Sequence, residues 1–302
     1  MRIATWNVNS LKARQEAVDN WLARARPDIL LMQETKLGDA DAPVMAFAMH
    51  GYQLVHHGEG RWNGVAIAAR DGLTVRDVVT NFDDHPVRDS GPGGLASDVG
   101  EDDFDPFDEA RMVAATVDGL RVASVYAPNG RVVGSPFYEG KLAWFERLGQ
   151  WIDEEVAGGR GGTLVVGGDY NVAPTDQDVW DPRAAHGGTH VSEPERSAVA
   201  ALRDRGLVDG YRARHDEPGR FSWWDYRAGM FHKNFGMRID LLLVGADVAA
   251  RIVDAEIDRE ARKGPKPIPS DHAPVTLDLD EPGRPIDPDW EGALARIAKR
   301  AR

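Results

Sequence analysis

Apolar and polar positions along this chain follow two different periods. Apolar runs bounded by polar or turn residues predict strands at residues 2–7, 29–32, 52–56, 64–69, 111–117, 121–126, 163–168, 239–244 and 274–279. Apolar positions at helical spacing predict two helices, one after Ser10 with Leu11, Val18, Trp21 and Leu22, and one over 138–156 with Leu142, Phe145, Leu148, Ile152 and Val156. Ser192 and Glu195 have the spacing of a capping box that opens a third helix. Strands and helices mixed in this way predict an α/β sandwich.

Two segments depart from this pattern. Residues 83–110 contain a Gly-Pro-Gly-Gly sequence followed by seven carboxylates over 98–109, a composition that favours a mobile, self-repelling loop inserted in the domain. The segment 280–302 passes through three prolines into a short predicted helix with Trp290, Leu294 and Ile297 on one side. Basic residues end this helix, which suits the negative end of its dipole, and we expect it to dock on the core. The predicted organisation is one domain over 1–279 and a tail over 280–302.

Length and composition narrow the class of protein. Strand-like runs continue to about residue 279 without a linker, so the 302 residues are interpreted as one large core. The chain has no cysteine, which excludes disulfides and thiolate ligands and fits a reducing compartment. Its first residues enter a predicted strand without a signal-peptide pattern, and no apolar run approaches the ~20 residues of a membrane span. We therefore expect a soluble, cytoplasmic protein.

The formal net charge of −13 argues against a protein that coats nucleic acid through bulk charge. It does not exclude an enzyme whose contact face is locally basic. Candidate cations for such a face are Lys12, Arg14, Lys36, Arg61, Arg196, Lys233, Arg238 and the segment 259–266. Taken singly, most of these cations have the simpler interpretation of a solvated surface charge.

Polar side chains of catalytic type stand where the predicted strands begin or end, the edge at which α/β folds gather their chemistry. Glu34 follows the second strand, Asp169 and Asn171 follow the Gly167-Gly168 pair, Asp240 precedes an apolar run, and His272 precedes the last strand. Each has a structural alternative. Glu34 could pair with Lys36 or an arginine, Asp169-x-Asn171 is common in turns, and His272 could be a hydrogen-bonded turn residue.

Their joint occurrence indicates one site. Several oxygen ligands, one imidazole and no thiolate suit Mg²⁺, or Mn²⁺ in its place, better than zinc. Such a cation neutralises phosphate oxygens while Asp and His act on an attacking water, which predicts phosphoester hydrolysis. Two competing signals are weaker. The glycines of 158–162 precede a strand, whereas a dinucleotide motif follows one, and His186 and His190 enclose two glycines that disfavour a helical zinc site.

The chain resembles the exonuclease III family of apurinic/apyrimidinic endonucleases, within the endonuclease/exonuclease/phosphatase superfamily. The resemblance covers about residues 1–279. It is carried in family order by the segments TWNVNSLKAR, QETK, WNGVAI, YAPNGR, GGDYNVAPTD, THVSEPER, FSWWDY, MRIDLLL and PSDHAPV. It implies a four-layered α/β sandwich, in which two mixed β-sheets pack face to face between helices and the active site lies at one edge.

The resemblance also implies roles for individual residues. Glu34 would bind the metal, with Asn7 and Asp271 close by, and His272, oriented by Asp240, would contact the phosphoryl group. Asp169 would orient or deprotonate the water, so the base is either Asp169 or His272. The other implied roles are the holding of phosphate oxygens by Tyr126, Asn129 and Asn171, and an apolar pocket for a flipped-out, baseless sugar formed by Trp223, Met237 and Ile239. The segment THVSEPER, with Arg196, resembles a DNA-binding loop of the nucleases.

The function that follows is a Mg²⁺-dependent DNA repair nuclease that cuts on the 5′ side of abasic sites and trims 3′ ends, acting as a monomer on double-stranded DNA. The main rival is a superfamily phosphoesterase acting on lipid or inositol phosphates, against which the segments FSWWDY and THVSEPER argue. A third reading is a DNA-binding protein without catalysis. The presence of a suitable residue at every catalytic position argues against it.

Overall fold

The structure is a computed structural model that describes residues 1–83, 104–264 and 266–300. Two six-stranded sheets form within these ranges. Their strands are β1 (Arg2–Asn7), β2 (Ile29–Gln33), β3 (Tyr52–His57), β4 (Val65–Arg70), β5 (Val75–Thr80), β6 (Met112–Val117), β7 (Leu120–Tyr126), β8 (Leu164–Asp169), β9 (Val208–Asp209), β10 (Asp240–Val244), β11 (Ile252–Ile257) and β12 (Val275–Leu279).

Both sheets are mixed, and their pairing determines which strand ends meet. The first sheet has the order β11-β12-β1-β2-β4-β3 and the second β5-β6-β7-β8-β10-β9. β1 and β2 run parallel while β12 is antiparallel to β1, so β1 and β2 end at the edge where β12 begins. In the second sheet, β7 and β8 run parallel and β10 is antiparallel to β8. The ends of β7 and β8 therefore lie at the edge where β10 begins.

Helices cover the outer faces of the sheets. Among the described residues they are α1 (Leu11–Ala25), α2 (Val44–Met49), α3 (Pro136–Ala157), α4 (Pro182–Ala185), α5 (Glu193–Asp204), α6 (Met230–Lys233), α7 (Ala246–Ala249) and α8 (Trp290–Arg300). The predicted caps are confirmed. The Ser10 side chain accepts from the Ala13 amide at the start of α1, and Ser192 and Glu195 form the capping box of α5.

Three apolar layers hold the fold together, and the alternation of side chains along each strand builds them. In β2, Ile29 and Leu31 point into the core between the sheets, while Leu30 and Met32 point outward to the layer shared with α1. The outer face of the second sheet packs on α3 and α5 in the same way. Three apolar layers separate four layers of secondary structure, so the predicted four-layered α/β sandwich is confirmed.

Two glycines bring the sheets and strands close together just before the site. A Cβ at Gly167 would lie 2.6 Å from side-chain atoms of Leu31 and Leu242, and a Cβ at Gly168 would lie 1.8 Å from the Val125 carbonyl oxygen. Only glycine fits at both positions without movement of its neighbours. The close approach brings Asp169, the next residue, against the first sheet.

The sequence missed three strands. β5 is an edge strand with mostly exposed side chains, β9 has only two residues, and β11 carries acidic residues at alternate positions. Each lacks the continuous apolar run by which the others were found. Val156 was also assigned wrongly to the buried face of α3, because it lies one residue from the helix end, where it is 45% exposed.

The end of the predicted acidic insert is not a free loop. Pro106–Asp108 forms a short 3-10 turn, Pro106 is buried, and the Phe104 ring lies 4.6 Å from that of Phe137 on α3. Its apolar residues therefore anchor the segment after residue 103, against the expectation of an unpacked loop. Residues 84–103 lie outside the described ranges.

The tail helix α8 packs on the core. Trp290 is 4% exposed, its ring lies 6.3 Å from Trp224, and its indole donates to the Ile257 carbonyl and the Glu256 carboxylate.

In the described part of the chain, no helix has the length and apolar character needed to cross a bilayer.

Candidate active site

Five elements deliver the polar side chains to one edge of the sandwich. Asn7 and Asp169 are the last residues of β1 and β8, Glu34 follows β2, and Asp240 is the first residue of β10, paired in register with Asp169. His272 lies three residues before β12. The strand pairing described above places all five together, although they are spread over the whole sequence.

Asn7 links the two sheets at the centre of the site. Its amide nitrogen donates to Glu34 at 2.8 Å and to Asp169 at 2.9 Å, while its oxygen accepts the Asn9 amide at 2.9 Å. In this orientation, which the hydrogen-bond network assigns, Asn7 holds the two carboxylates in place. Glu34, Asp169 and His272 each offer one ligand atom, and these atoms lie within 4.8 Å of one another. This donor set fits a metal ion.

His272 lies between two carboxylates. Its Nδ1 is 2.9 Å from Asp240, and its Nε2 is 3.8 Å from Asp169. Burial disfavours the imidazolium, but the two negative charges and the hydrogen bond outweigh it and raise the pKa of His272 to about 10. The contact with Asp240 fixes the ring so that Nε2 faces the site.

The Asp169 carboxylate is 1% exposed and accepts the Asn171 backbone amide at 2.8 Å as well as Asn7. Burial raises its pKa to about 7, against the lowering effect of the His272 charge and these hydrogen bonds. Asp240 adds negative charge and also raises this pKa. A carboxyl in such surroundings accepts a proton more readily than an ordinary aspartate does.

Glu34 is paired with Lys36, the alternative that the sequence left open. The ammonium lies 2.7 Å from the Glu34 carboxylate and donates at 2.7 Å to the Asn9 side chain. Burial alone would raise the pKa of Glu34, but Lys36 and Asn7 lower it below its usual value. Glu34 has a left-handed backbone with φ of 52°, and strain of this kind is common at functional sites.

Tyr126, Asn129 and Asn171 lie on the side of the site formed by the second sheet. Tyr126 ends β7 opposite Asp169, and burial together with the neighbouring Glu34 holds its pKa well above the usual value. The Asn129 amide donates to the Asn171 side-chain oxygen at 3.2 Å, and the Asn171 amide donates to the Ala127 carbonyl at 2.9 Å. The structure thus brings these three predicted residues together with the acidic cluster.

The predicted apolar residues lie beside His272. Trp223 pairs through its backbone with Met237, its ring lies 6.5 Å from that of His272, and its indole donates to Asp271 at 3.2 Å. Asp271 also accepts from Asn9 and stands outside the group formed by Glu34, Asp169 and His272. Trp223 and Met237 are partly exposed. Ile239 is only 3% exposed and supports them from below instead of lining a pocket.

Several predicted cations are buried or already paired. Arg238 is fully buried and pairs with Asp178 and Asp209, so its assignment to the contact face was wrong. Arg196 pairs with Asp176 and donates to the Ala173 carbonyl, which ties the chain after Asn171 to α5. In the segment 259–266, Arg259 and Arg262 are also buried, because they pack on aromatic rings.

A cavity of about 170 Å³ adjoins Tyr126 and Asn129, and sequence reasoning missed its other walls. Trp62 on its rim is 41% exposed and carries the Arg61 guanidinium 4.6 Å above its ring, while Arg131 lies 3.6 Å above the Phe137 ring. Asn9 was missed as well. Arg61 was among the predicted cations, and its exposed neighbour Trp62 was the signal available for the pair, whereas Asn9 lies in the segment TWNVNSLKAR but was given no role.

Two carboxylates, an imidazole and several amide donors at one edge of an α/β sandwich define a phosphoesterase whose site can bind a metal ion. The chain belongs to the Endonuclease/Exonuclease/phosphatase family, whose profile matches residues 4–272. Metal dependence is typical of this family, and the cluster around Glu34 offers the place for a metal.

Similar proteins indicate which phosphoester bonds the chain hydrolyses. The exodeoxyribonuclease of Bacillus subtilis is 29% identical over 280 residues, covering 92% of this chain and 98% of the relative. The structure of the 3′ phosphatase NExo from Neisseria bound to a product DNA hairpin is 40% identical, with a TM-score of 0.80, and an AP endonuclease from Archaeoglobus fulgidus is 33% identical with the same score. Both comparisons cover 93% of this chain and 100% of the other. The predicted DNA repair nuclease, a hydrolase of DNA phosphodiester bonds, is confirmed.

Proposed function

We propose that this protein is a Mg²⁺-dependent nuclease that cleaves DNA on the 5′ side of abasic sites and also trims 3′ ends. The observation that supports this most directly is the continuous polar chain from Asp240 through His272, Asp169 and Asn7 to Glu34. In this proposal Asp169 is the proton acceptor, His272 the cationic donor and Glu34 the carboxylate ligand. We further propose that the protein works in the cytoplasm as a monomer.

Glu34 would hold the Mg²⁺, and Asn7 would keep the Glu34 and Asp169 carboxylates at a fixed separation. Carboxylate oxygens suit a hard cation, and the chain has no cysteine that would favour zinc. When bound, the ion supplies Lewis-acid stabilisation of the phosphate oxygens. Lys36, which pairs with Glu34 in the structure, would turn to other acceptors such as Asn9.

Asp169 is proposed as the base and His272 as the donor. The Asp169 oxygens face the centre of the cluster, and its backbone-anchored contact with Asn171 fixes its direction. His272 lies between Asp240 and Asp169, whose charges favour the imidazolium, so its Nε2–H donates to a phosphoryl oxygen instead of accepting a proton. Of the two candidates that the sequence left open, we therefore propose Asp169 as the base.

Tyr126, Asn129 and Asn171 would hold the remaining phosphoryl oxygens and the charge that develops during attack. The two asparagine side chains are oriented before the substrate arrives, by their contact with each other and with the Ala127 carbonyl. Preorganised donors of this kind contribute more to the rate than donors that must be oriented during the reaction.

The preference for an abasic site rests on the partly exposed faces of Trp223 and Met237 beside His272. An apolar surface at this place accepts a sugar without a base, whereas an intact nucleotide must first unstack, at a cost of a few kcal/mol. The cavity beside Tyr126 and Asn129 leaves room for the neighbouring part of the strand. Removal of a 3′-phosphate is a second candidate, because the 40% identical Neisseria structure is named a 3′ phosphatase.

The test compares four substrates under identical conditions: abasic duplex, undamaged duplex with a 3′ end, duplex with a 3′-phosphate, and an inositol phosphate. Each is incubated with Mg²⁺ and with chelator. We expect Mg²⁺-dependent cleavage of the DNA substrates only, with abasic duplex cut much faster than undamaged 3′ nucleotides. Equal or faster digestion of undamaged ends would overturn the preference, and hydrolysis of inositol phosphate alone would overturn the function.

Replacement of Trp223 tests the same substrate preference with a single side chain. Trp223→Ala should narrow the ratio between abasic cleavage and undamaged end removal, because the pocket for the baseless sugar loosens. Trp180→Ala is a matched control, since Trp180 is 38% exposed and stacks on Phe235 without contact to the catalytic cluster. An unchanged ratio in Trp223→Ala would remove Trp223 from substrate selection.

A further inference from the structure

A buried lysine lies behind the phosphate-binding loops. Lys141 on α3 is fully buried, and its ammonium donates to the Glu195 carboxylate at 2.5 Å, to the Asn171 carbonyl at 2.8 Å and to the Asn129 carbonyl at 3.3 Å. A lysine ammonium has three hydrogens to donate, so these three acceptors use its full capacity. Because it is buried, Lys141 cannot touch the substrate.

Two of these acceptors are the backbones of predicted phosphate-contacting residues. Asn171 has a left-handed backbone with φ of 51°, and its carbonyl is also 2.5 Å from the His190 ring nitrogen. A non-glycine residue stays in this region only where its surroundings hold it there. Lys141 therefore fixes the backbone from which the Asn129 and Asn171 amides reach each other.

The loop of Asn129 is also fitted to the stem of the lysine. Gly130 has φ of +82°, and a Cβ there would lie 3.0 Å from the Lys141 Cδ and 3.4 Å from the Thr189 hydroxyl. The Thr189 hydroxyl lies 3.2 Å from the Asn129 carbonyl oxygen and 3.0 Å from the Glu195 carboxylate, and it shares its single hydrogen between them. The carbonyl of Asn129 is thus held by two donors that come from different elements.

Glu195 connects the lysine to the loop before α5. Besides Lys141, its carboxylate accepts the Thr189 hydroxyl and the His190 amide, both at 3.0 Å, and the Ser192 amide and hydroxyl at 3.2 and 2.6 Å. The capping box predicted from the sequence is therefore one part of a larger buried network. It joins α3 and α5 to the two asparagine loops.

We propose that the buried pair Lys141 and Glu195 is a positioning device for phosphoryl transfer. Buried ion pairs are weak stabilisers compared with apolar side chains of similar size, so fold stability alone gives little reason for one here. What apolar residues cannot supply is an ammonium that brings the Asn129 and Asn171 carbonyls to one point. This inference rests on the proposed function, in which the side chains of these two asparagines hold the phosphoryl oxygens.

The test replaces the pair as a unit. Lys141→Met alone leaves Glu195 buried without its partner and is expected to unfold easily, whereas Lys141→Met with Glu195→Met removes both charges and keeps the volume. In the folded double variant we expect kcat on the preferred DNA substrate to fall about 10- to 100-fold, since small misplacements of positioned groups have effects of this size. KM should change about threefold or less, because the substrate contacts remain in the molecule.

The chain offers a matched control in the same helix. Arg121 and Glu155 form a second buried pair, 5% and 4% exposed, which joins β7 to α3 at the end remote from the asparagine loops. Arg121→Met with Glu155→Met should change the melting temperature by an amount similar to that of the first double variant, while kcat stays at the wild-type value. A purely structural role for Lys141 would instead make the two double variants alike in kcat.

A double-mutant cycle gives the second readout. If Lys141 acts through Asn171, then Lys141→Met with Glu195→Met should add little to the kcat loss of Asn171→Ala, because the group it positions is already gone. Fully additive losses, or a folded double variant with wild-type kcat, overturn the positioning role while the proposed function stands. A wild-type protein inactive on every DNA substrate overturns both.

Discussion

Asp169 lies where the two sheets, the proposed metal site and the proposed phosphate-binding loops meet. It accepts from Asn7 of the first sheet, from its own loop through Asn171, and faces His272. The Asp169 carboxylate is buried and already hydrogen-bonded, so it can adopt few orientations. Residue-scale changes at this point should therefore affect the chemistry more than the fold.

Asp169→Asn keeps the shape of the side chain but cannot accept a proton from water. We expect turnover on DNA to fall by 10²–10⁴, the usual effect of removing a general acid or base, with DNA affinity retained. His272→Ala should lose activity in the same range, since it removes the donor to the phosphoryl group. Single-turnover cleavage and DNA-binding titrations measure the two quantities separately. Full activity in Asp169→Asn would show that the base lies elsewhere.

Glu34→Gln tests the metal assignment. The side-chain oxygen of the glutamine can still accept the hydrogen bond from the Asn7 amide. It binds a divalent cation more weakly than a carboxylate does. We expect the Mg²⁺ concentration for half-maximal activity to rise at least about tenfold, with partial recovery of rate at high Mg²⁺. Glu139→Gln, on the first turn of α3, is the control and should leave the requirement unchanged. An unaltered metal titration in Glu34→Gln contradicts the assignment.

At the scale of elements, α8 shows how a tail becomes part of a domain. Trp290 fits against Trp224, and the Arg259 guanidinium lies 4.1 Å from the Phe231 ring and 5.6 Å from the Trp290 ring. Burial among these rings lowers the pKa of Arg259 to about 10. The cluster covers β11 and the segment leading to His272, so the tail stabilises the side of the first sheet that bears the site.

Trp290→Ala should reduce the free energy of unfolding by about 3–5 kcal/mol, as large-to-small changes of buried aromatic residues do. Its ring does not contact the catalytic cluster, so activity at low temperature should be retained. Urea unfolding and a nuclease assay at low temperature measure the two effects. Met49→Ala is the control, because Met49 is 85% exposed and its loss should change stability by no more than about 0.5 kcal/mol. Wild-type stability in Trp290→Ala would mean that α8 is not held by this contact.

At the scale of the whole molecule, a buried charge network connects distant segments. Arg238, which precedes the β10 strand, pairs with Asp178 and Asp209, and Arg212 adds a second cation to Asp178. Burial would raise the pKa of Asp178, but the two arginines lower it to about 2. Since the folded pKa lies below the ordinary value of 3.8, the stabilisation is complete above about pH 4 and is lost as the pH falls through about 2.

Asp178→Asn should therefore lower the free energy of unfolding at pH 7 by about 3–5 kcal/mol, because it leaves a buried arginine with a weaker partner. It should also make the fall in stability between pH 4 and pH 2 shallower than in the wild type. Urea unfolding across this pH range measures both. Asp153→Asn, in a solvent-exposed pair with Arg205, is the control and should leave the profile unchanged. An unaltered acid limb in Asp178→Asn would contradict the coupling.

The net charge of −13 has a consequence at the same scale. Bulk charge repels DNA, so binding must depend on local cations around the site. Arg61 and Arg131, each over an aromatic ring beside the cavity, remain as candidates, whereas Arg238, Arg259 and Arg262 are buried.

The pattern of apolar and polar residues predicted the α/β sandwich and the polar residues that gather at one of its edges. Apolar runs identify strands wherever both faces are buried, and polar residues at their ends, such as Glu34, Asp169 and His272, are visible because the runs stop there. It could not identify edge strands such as β5, whose side chains are largely exposed, since alternation there carries little apolar signal.

The burial and the partners of the charged side chains become visible only in the tertiary structure. Arg238 and Lys141 look like ordinary surface cations in the sequence, yet both are fully buried. The partners of Arg238 lie 29 and 60 residues away along the chain, and those of Lys141 lie 12 to 54 residues away. Asn9 likewise became part of the site through Lys36 and Asp271, which lie far from it in the sequence. Local patterns record burial and turns, whereas the pairing of charges depends on distances that exist only once the sheets are packed.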